Sequence, residues 1–283
     1  MGWNEEDEIQ VLGTPVSKHG NKRFLCLGMF VLCVALLVGG VVWFVCGLDE
    51  DIQEAEMQEI EQPAVVPVSL LPDSASSLLF SVDSINDVKM RIYTLNGLTA
   101  RLSFDLPDKS DTTVFLVIPA ADVRRDNGGI VGDFLLHGKQ LARGKRKKGY
   151  CAILDGEVML GLAIDDEMLE YCMRQRGDFF RQYPLVINGE IQENRLKGKA
   201  LRRALARQGG NLFFVESCNR ESVYDFAEAL ADYGFSEALY LVGGNSYGWW
   251  RKNTHTVCEI GELATDALSL NLNYLIFRNS GSH

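Results

Sequence analysis

A strand–helix–strand segment in the C-terminal third of the chain constrains the fold most. Its central part, Glu221–Tyr233, repeats apolar residues on one face at helical spacing. Asn219 is placed to cap the start of this helix, and Gly234 is placed to end it. Apolar runs typical of strands, Leu212–Glu216 and Ala238–Val242, flank the helix on either side. The segment predicts a β-α-β unit with parallel neighbouring strands and a right-handed crossover.

The rest of the C-terminal region contains many short strand-like runs and little helix. The only other helical pattern is a short one at Asp166–Arg174. The further predicted strands are Leu78–Val82, Met90–Thr94, Thr113–Ile118, Gly132–Leu136, Tyr150–Leu154, Val158–Ile164, Leu185–Ile187 and Tyr274–Arg278. Many strands and few helices predict an α+β fold with a mixed sheet, rather than a doubly wound α/β sheet.

An apolar run near the N-terminus, Phe24–Cys46, contains no charged residue. At about 1.5 Å of rise per residue, a helix of this length crosses a hydrocarbon core of about 30 Å. A cleaved signal peptide is the alternative, but the leader before this run is acidic and no small-x-small site follows it. We therefore predict a transmembrane signal anchor at residues 24–46.

Charges on either side of this run predict its orientation. Lys18, Lys22 and Arg23 precede it, and an acidic stretch follows it. The positive-inside rule then predicts that residues 1–23 are cytoplasmic and that the main domain is extracytoplasmic, either periplasmic or at the cell surface.

The acidity of the chain is concentrated outside the predicted domain. The formal net charge is −10, and residues 49–61 alone carry seven acids and no base. Three prolines follow this acidic stretch, so residues 47–74 are interpreted as an extended linker. Residues 75–283 then form one domain that is close to neutral and does not repel an anionic partner.

Cysteine and histidine spacing gives no support for a metal site. Four cysteines lie in the domain, but none forms a C-x-x-C pair, and His137 and His255 are isolated. The four are Cys151, Cys172, Cys218 and Cys258. An extracytoplasmic domain could pair them, but buried free thiols are the favoured interpretation. No metal and no other cofactor is predicted.

A glycine turn follows the second strand of the predicted β-α-β unit, within Ser236–Trp250. Two adjacent glycines permit left-handed backbone angles and close approach of another group. The end of such a strand is a usual position for a ligand crevice. The turn lacks the spacing of a dinucleotide loop or a Walker loop. A Gly-rich hairpin with core tryptophans is the alternative. The predicted binding residues are Gly243, Gly244, Asn245, Ser246, Trp249 and Arg251.

Five segments, in order along the chain, resemble motifs of the phosphodiester glycosidase domain family. They are Val131–Asp133 with His137–Lys139, Tyr150–Gly156, Tyr183–Glu190, Arg203–Ala206 and Glu237–Gly244. The resemblance covers most of residues 113–278 and implies hydrolysis of a sugar-phosphodiester linkage in a glycan. The sequence departs from the family pattern at Pro119, where the family has Asn, and at Val242, where it has Asp.

The resemblance and the requirements of this reaction suggest catalytic residues. Arg203 matches the family's arginine, and a planar guanidinium suits two phosphate oxygens. Asp122 and Asp133 lie near strand ends and are the preferred groups for proton transfer, since carboxylates carry this role in glycoside hydrolysis. The alternatives are a surface ion pair for Arg203 and turn or surface positions for the two acids.

Partners and rival functions follow from the same features. The basic cluster Gly144–Lys148 is interpreted as a solvated hairpin loop, with contact to an anionic glycan or lipid as the alternative. The expected partners are a glycan or sugar-phosphate substrate and the membrane, through residues 24–46, and no nucleic acid. The departures at Pro119 and Val242 motivate a second hypothesis, a non-catalytic glycan-binding or envelope scaffold protein on the same fold. A purely structural domain is the third.

Overall fold

The computed structural model describes residues 76–124, 126–262 and 272–279. The predicted cytoplasmic segment, the anchor at residues 24–46 and the linker at 47–74 lie outside these residues. Among the described residues, no helix has the length and apolar character needed to cross a membrane. The described part consists mostly of β-structure, in three antiparallel sheets with two short helices.

The largest sheet has seven strands. In chain order they are β1 (Ser77–Ile85), β2 (Val88–Asn96), β10 (Pro184–Ile187), β11 (Glu190–Ile191), β12 (Arg203–Gln208), β13 (Asn211–Ser217) and β14 (Glu237–Leu241). Their spatial order is β1-β2-β13-β12-β14-β10-β11. Strand β1 therefore forms one edge of the sheet, and the two-residue strand β11 forms the other.

Two five-stranded sheets complete the β-structure. One contains β3 (Leu98–Ser103), β4 (Val114–Pro119), β15 (Gly248–Asn253), β16 (Thr256–Ile260) and β17 (Tyr274–Asn279), in the order β16-β15-β4-β17-β3. The other contains β5 (Phe134–Leu136), β6 (Lys139–Ala142), β7 (Gly149–Leu154), β8 (Glu157–Leu162) and β9 (Asp178–Gln182), in the order β6-β5-β9-β7-β8.

The sequence predicted the strands better than their arrangement. All ten predicted strands overlap observed ones, and β12 contains the Arg203–Ala206 segment of the family resemblance. The strands β3, β6, β9, β11, β15 and β16 were not predicted, because their apolar residues are few or interrupted by charges. The predicted mixed sheet is wrong, since all strand pairs within the three sheets are antiparallel.

The predicted β-α-β unit is present in a modified form. Strands β13 and β14 flank helix α2 (Val223–Tyr233), but β12 lies between them and is antiparallel to both. The two strands are therefore parallel without being neighbours, so the predicted direct pairing is wrong. The hairpin that joins β12 to β13 places β12 in that position.

Helix α2 begins later than the sequence indicated. The Ser222 side chain, and not Asn219, accepts a hydrogen bond from the backbone N–H of Asp225. The chain just before the helix is held in extended form by a backbone bridge between Glu221 and Ala200, which delays the helical start. The predicted end is confirmed, because Gly234 ends the helix in the left-handed conformation with φ 101°.

Apolar side chains from the sheets and helices form the core. Helix α2 packs Phe226 and Leu230 against the seven-stranded sheet, and the shorter helix α1 (Glu167–Arg174) packs Leu169 and Cys172 against the third sheet. The stability of this part follows from burial of apolar surface on helix and sheet faces.

The four described cysteines are free thiols, as the sequence favoured. Cys151 and Cys172 are buried, and burial raises the pKa of the Cys172 thiol to about 11. Cys218 and Cys258 are only partly buried, so the prediction of burial is wrong for these two.

Candidate functional site

A cavity of about 610 Å³ lies at the C-terminal end of β14. Its walls come mainly from the segment after β4, the loop after β14 and the region where β17 begins, and Ala200 and Glu262 complete them. Side chains with polar groups at the cavity are Asp122, Tyr240, Asn245, Ser246, Tyr247, Glu262, Asn273 and Tyr274. The crevice expected at the glycine turn is therefore present in the structure.

The glycine turn forms one wall because its backbone approaches a neighbouring segment closely. A Cβ atom on Gly243 would lie 2.3 Å from the carbonyl oxygen of Leu201, so no larger residue fits there without movement. Gly244 has φ 66° and donates its N–H to the same carbonyl at 2.9 Å. Ser246 Oγ donates to the Gly243 carbonyl at 2.9 Å, which fixes the turn from within.

Arg203 supports this wall from behind and is not among the residues that line the cavity. Its side chain is almost completely buried, and Nε donates to Glu216 at 2.7 Å. Its Nη1 donates to the Ser246 carbonyl at 2.7 Å. Glu216 also accepts from Arg91 at 2.8 Å. The guanidinium predicted to hold phosphate is thus bonded to protein groups, and it positions the loop.

Asp122 lies at the cavity on a segment whose backbone is held firmly. The Asn273 side chain accepts from Ala121 N at 2.8 Å and donates to Ala121 O at 3.1 Å. The Asp122 carbonyl accepts a hydrogen bond from Val131 N at 2.8 Å. The Asp122 side chain keeps 33% of its surface exposed, and the residue lines the cavity.

Lys147 is a buried cation that the sequence did not identify as a site residue. Its Nζ lies 2.5 Å from Asp122 Oδ2 and 5.4 Å from the centre of the Tyr183 ring. Only 2% of the side chain is exposed. Desolvation lowers the pKa of this ammonium, and the adjacent Asp122 carboxylate partly opposes that effect. The predicted solvated loop is therefore wrong for Lys147, although its neighbour Lys145 is exposed and pairs with Asp166.

Asp133, the second predicted acid, is in a buried ion pair and does not line the cavity. Its Oδ2 accepts from Arg181 Nε at 2.6 Å, and Oδ1 accepts from Gly144 N at 3.0 Å and from Gln140 at 3.2 Å. The residue is 4% exposed. Arg181 also contacts Asp166 at 3.0 Å. Both carboxylate oxygens of Asp133 are thus occupied by protein donors.

Trp249 and Arg251 also lie away from the cavity. Trp249 is completely buried in a cluster with Val117 and Ile276. Arg251 stacks over the Trp249 ring at 5.8 Å and donates to the carbonyls of Lys109, Asp111 and Val114. The structure therefore brings together Asp122, Gly243, Gly244, Asn245 and Ser246, but not Asp133, Arg203, Trp249 or Arg251.

Glu262 is a second carboxylate at the cavity and was not predicted. It follows Gly261, whose φ is 70°, and its N–H donates to the Asn245 carbonyl at 2.9 Å. An acid after a strand is common in turns, so the sequence carried no signal that separated it from surface acids. Within the described ranges, no Lys or Arg lines the cavity and no cluster of His, Cys, Asp and Glu could hold a metal ion.

Comparison with known proteins identifies the fold. No family model and no curated protein matches this chain. The catalytic domain of zebrafish N-acetylglucosamine-1-phosphodiester alpha-N-acetylglucosaminidase, in a form auto-inhibited by its pro-peptide, matches with a TM-score of 0.50 at 12% identity, over 72% of this chain and 82% of that one. A hypothetical protein from Synechocystis matches with a TM-score of 0.51 at 13% identity, over 72% of this chain and 62% of that one. The resemblance noted in the sequence is thus confirmed at the level of the fold: the chain has, in divergent form, the fold of this phosphodiester glycosidase catalytic domain.

Proposed function

We propose that this chain hydrolyses a sugar-phosphodiester linkage in a glycan and that Asp122 is its catalytic carboxylate. The observation that carries the proposal is the Asp122–Lys147 pair at the edge of the cavity, where an accessible acid is held by a buried cation. The shared fold with a phosphodiester glycosidase catalytic domain supports the substrate class.

The remaining walls of the cavity suit a sugar. Tyr240, Tyr247 and Tyr274 supply aromatic surface with hydroxyl groups, and Asn245 and Ser246 supply short polar side chains. A sugar ring presents both hydroxyl groups and apolar C–H faces, and small-molecule sites typically combine a mainly apolar lining with a few polar groups. We assign the sugar to this part of the cavity.

Asp122 acts as the general base in the proposed reaction. It takes a proton from a water molecule that attacks the anomeric carbon, and the bond from that carbon to the phosphate oxygen breaks. The electron pair of this bond leaves with the phosphate monoester. Because such a monoester has a second pKa of about 6, it can depart without a proton from a general acid. One carboxylate is therefore sufficient for the chemical step.

Lys147 is a positioning residue in this scheme. Its ammonium holds Asp122 Oδ2, which orients the carboxylate. It also places positive charge beside a cavity that otherwise carries the acids Asp122 and Glu262. Glu262 is proposed to contact sugar hydroxyls, for which a carboxylate is an acceptor.

The proposed location of the enzyme rests on the sequence. We propose that residues 24–46 anchor the chain in a membrane, with residues 1–23 in the cytoplasm and the domain outside it. A glycan substrate in the envelope or at the cell surface would then be within reach of the domain. The flanking charges of the apolar run support this orientation.

Glycan binding without hydrolysis is the second candidate function. It is favoured by the engagement of Arg203 with Glu216 and loop carbonyls, which removes the predicted phosphate-binding cation from the cavity. Val242 lies at the cavity wall where the family pattern has Asp, so an acid of the resembled site is replaced by an apolar side chain.

Release of sugar from methyl diesters of several sugar 1-phosphates tests the proposal. We expect turnover by the full chain and a loss of about 10²- to 10⁴-fold in Asp122→Asn, since this is the usual contribution of a general base. Asp126→Asn is the matched control, because Asp126 is an exposed acid that pairs with Arg124 at the surface. Saturable binding of the diesters without turnover would favour the second candidate, and absence of both would contradict both candidates.

A further inference from the structure

Strand β1 combines features that protein edge strands usually avoid. It is nine residues long, it forms the edge of the seven-stranded sheet among the described residues, and Asp83 is its only charged residue. Leu79, Phe80 and Val82 are 57%, 44% and 47% exposed. Natural edges are normally short or protected by charges, because free backbone groups pair readily with another strand. The opposite edge, β11, follows that rule with only two residues.

The edge is already ordered along its full length. All nine residues of β1 pair with β2, from Ser77 with Asn96 to Ile85 with Val88. The connecting turn consists of Asn86 and Asp87, both with positive φ, which is the conformation of a tight two-residue hairpin. Asn86 Nδ2 also donates to Asp232 at 2.6 Å, which ties the turn to helix α2. A partner strand would therefore meet a preformed edge and would not have to order it.

The face that carries Phe80 is supported by the core. The Phe80 ring stacks on Trp250 at 5.1 Å and contacts Tyr93 at the same distance. Its exposed part is consequently a fixed apolar surface. A second strand beside β1 would extend this surface.

We propose that β1 pairs with β1 of a second copy of this chain, as an antiparallel dimer centred on Ser81. The sequence of β1 is complementary to itself in that register. Phe80 of each copy then lies opposite Val82 of the other, so the dimer contains two such pairs. Pairs of an aromatic and a β-branched residue stabilise sheets. This inference is independent of the proposed function.

Charge is also compatible with this register. Asp83 lies opposite Leu79 of the other copy, and not opposite the second Asp83. The two Asp83 residues are four positions apart along the strands, about 14 Å at ~3.4 Å per residue, which exceeds the screening length of about 8 Å at physiological salt. The dimer therefore joins the two edges without placing like charges opposite each other.

Cysteine cross-linking tests the register in the full chain, purified with detergent. In the dimer, residue 81 of one chain lies opposite residue 81 of the other. Their Cα atoms are then about 4.5–5.5 Å apart, which suits a disulfide. We expect Ser81→Cys to form about ten-fold more oxidised dimer than Ser84→Cys, since two residues 84 would be about 20 Å apart. Ser84 is likewise an exposed serine of β1, and the wild-type chain gives the background from native cysteines.

A pair of substitutions at Leu79 tests the same contact by charge. Residue 79 of each chain lies opposite Asp83 of the other. Leu79→Asp therefore places an acid opposite Asp83 at both of these positions, whereas Leu79→Lys places a base opposite Asp83. We expect the dissociation constant of Leu79→Asp, measured by sedimentation, to be about ten-fold above that of Leu79→Lys. A monomeric wild-type chain at all concentrations would overturn the proposal. Protection of β1 amides from hydrogen exchange in such a monomer would also overturn it, because a segment of the same chain would then cover the edge.

Discussion

Two aspartates near the ends of strands, Asp122 and Asp133, looked equivalent in the sequence but have different surroundings in the structure. Asp133 is 4% exposed, and both its oxygens are bonded to protein donors. The Asp122 side chain is 33% exposed at a cavity, and Lys147 is its one charged contact among the described residues. An acid suited to catalysis needs both an orienting partner and a side chain that is not fully enclosed, and of the two aspartates only Asp122 combines them.

The cations of the two pairs differ as well. Arg181 cannot lose its proton in a protein, so Asp133 faces a permanent charge. Lys147 can release its proton when buried, and desolvation already lowers the pKa of its ammonium. The Asp133 pair is therefore a fixed structural contact, while the Asp122 pair can change its charge.

The largest effect is expected from removing Asp133. Asp133→Ala leaves Arg181 buried with one carboxylate partner fewer, and loss of one member of a buried ion pair costs about 3–5 kcal/mol of unfolding free energy. Denaturant unfolding measures this loss. Asp126→Ala, which removes an exposed acid, is the control and should change the unfolding free energy by less than about 0.5 kcal/mol. A loss below about 1 kcal/mol in Asp133→Ala would contradict its structural role.

A smaller effect on stability, but a clear one on activity, is expected from Lys147→Met. Asp122 remains partly solvated after the change, so we expect an unfolding cost of about 1 kcal/mol. The carboxylate loses its orienting partner, and we expect kcat/KM for sugar release to fall about 10- to 100-fold.

A double substitution separates positioning from a general structural defect. If Lys147 acts through Asp122, Lys147→Met should lower kcat/KM little further once Asp122→Asn is already present. A full further loss in that background would show that Lys147 does not act through Asp122.

The smallest effect is expected in the pH dependence of stability. The pKa of Lys147 is lowered in the folded chain and has its ordinary value of about 10.4 in the unfolded chain. At pH values between the two, the unfolded chain binds more protons than the folded chain. The unfolding free energy of the wild type, relative to Lys147→Met, should therefore rise with pH across this window. Denaturant unfolding at a series of pH values measures the difference. A difference that falls with pH would mean that the Asp122 charge outweighs desolvation at this site.

The sequence was most informative where a local pattern carried the structural signal. Apolar runs located ten strands, helical spacing located both helices, and Gly234 marked the end of α2. Five short motifs in order indicated the fold, which comparison with a solved catalytic domain confirms. The glycine turn indicated the cavity wall, because close approach to Leu201 at Gly243 requires a residue without a side chain.

The sequence alone determined ten of the strands, both helices, the family-like order of motifs and the glycine turn, because each depends on neighbouring residues. Tertiary structure decided the insertion of β12, the burial of Arg203 and Trp249 and the pairing of Lys147 with Asp122. Those outcomes depend on which distant segments meet: 25 positions separate Asp122 from Lys147, and 13 separate Arg203 from Glu216. Desolvation and partner geometry at such contacts are properties of the packed fold, and no local pattern in the sequence encodes them.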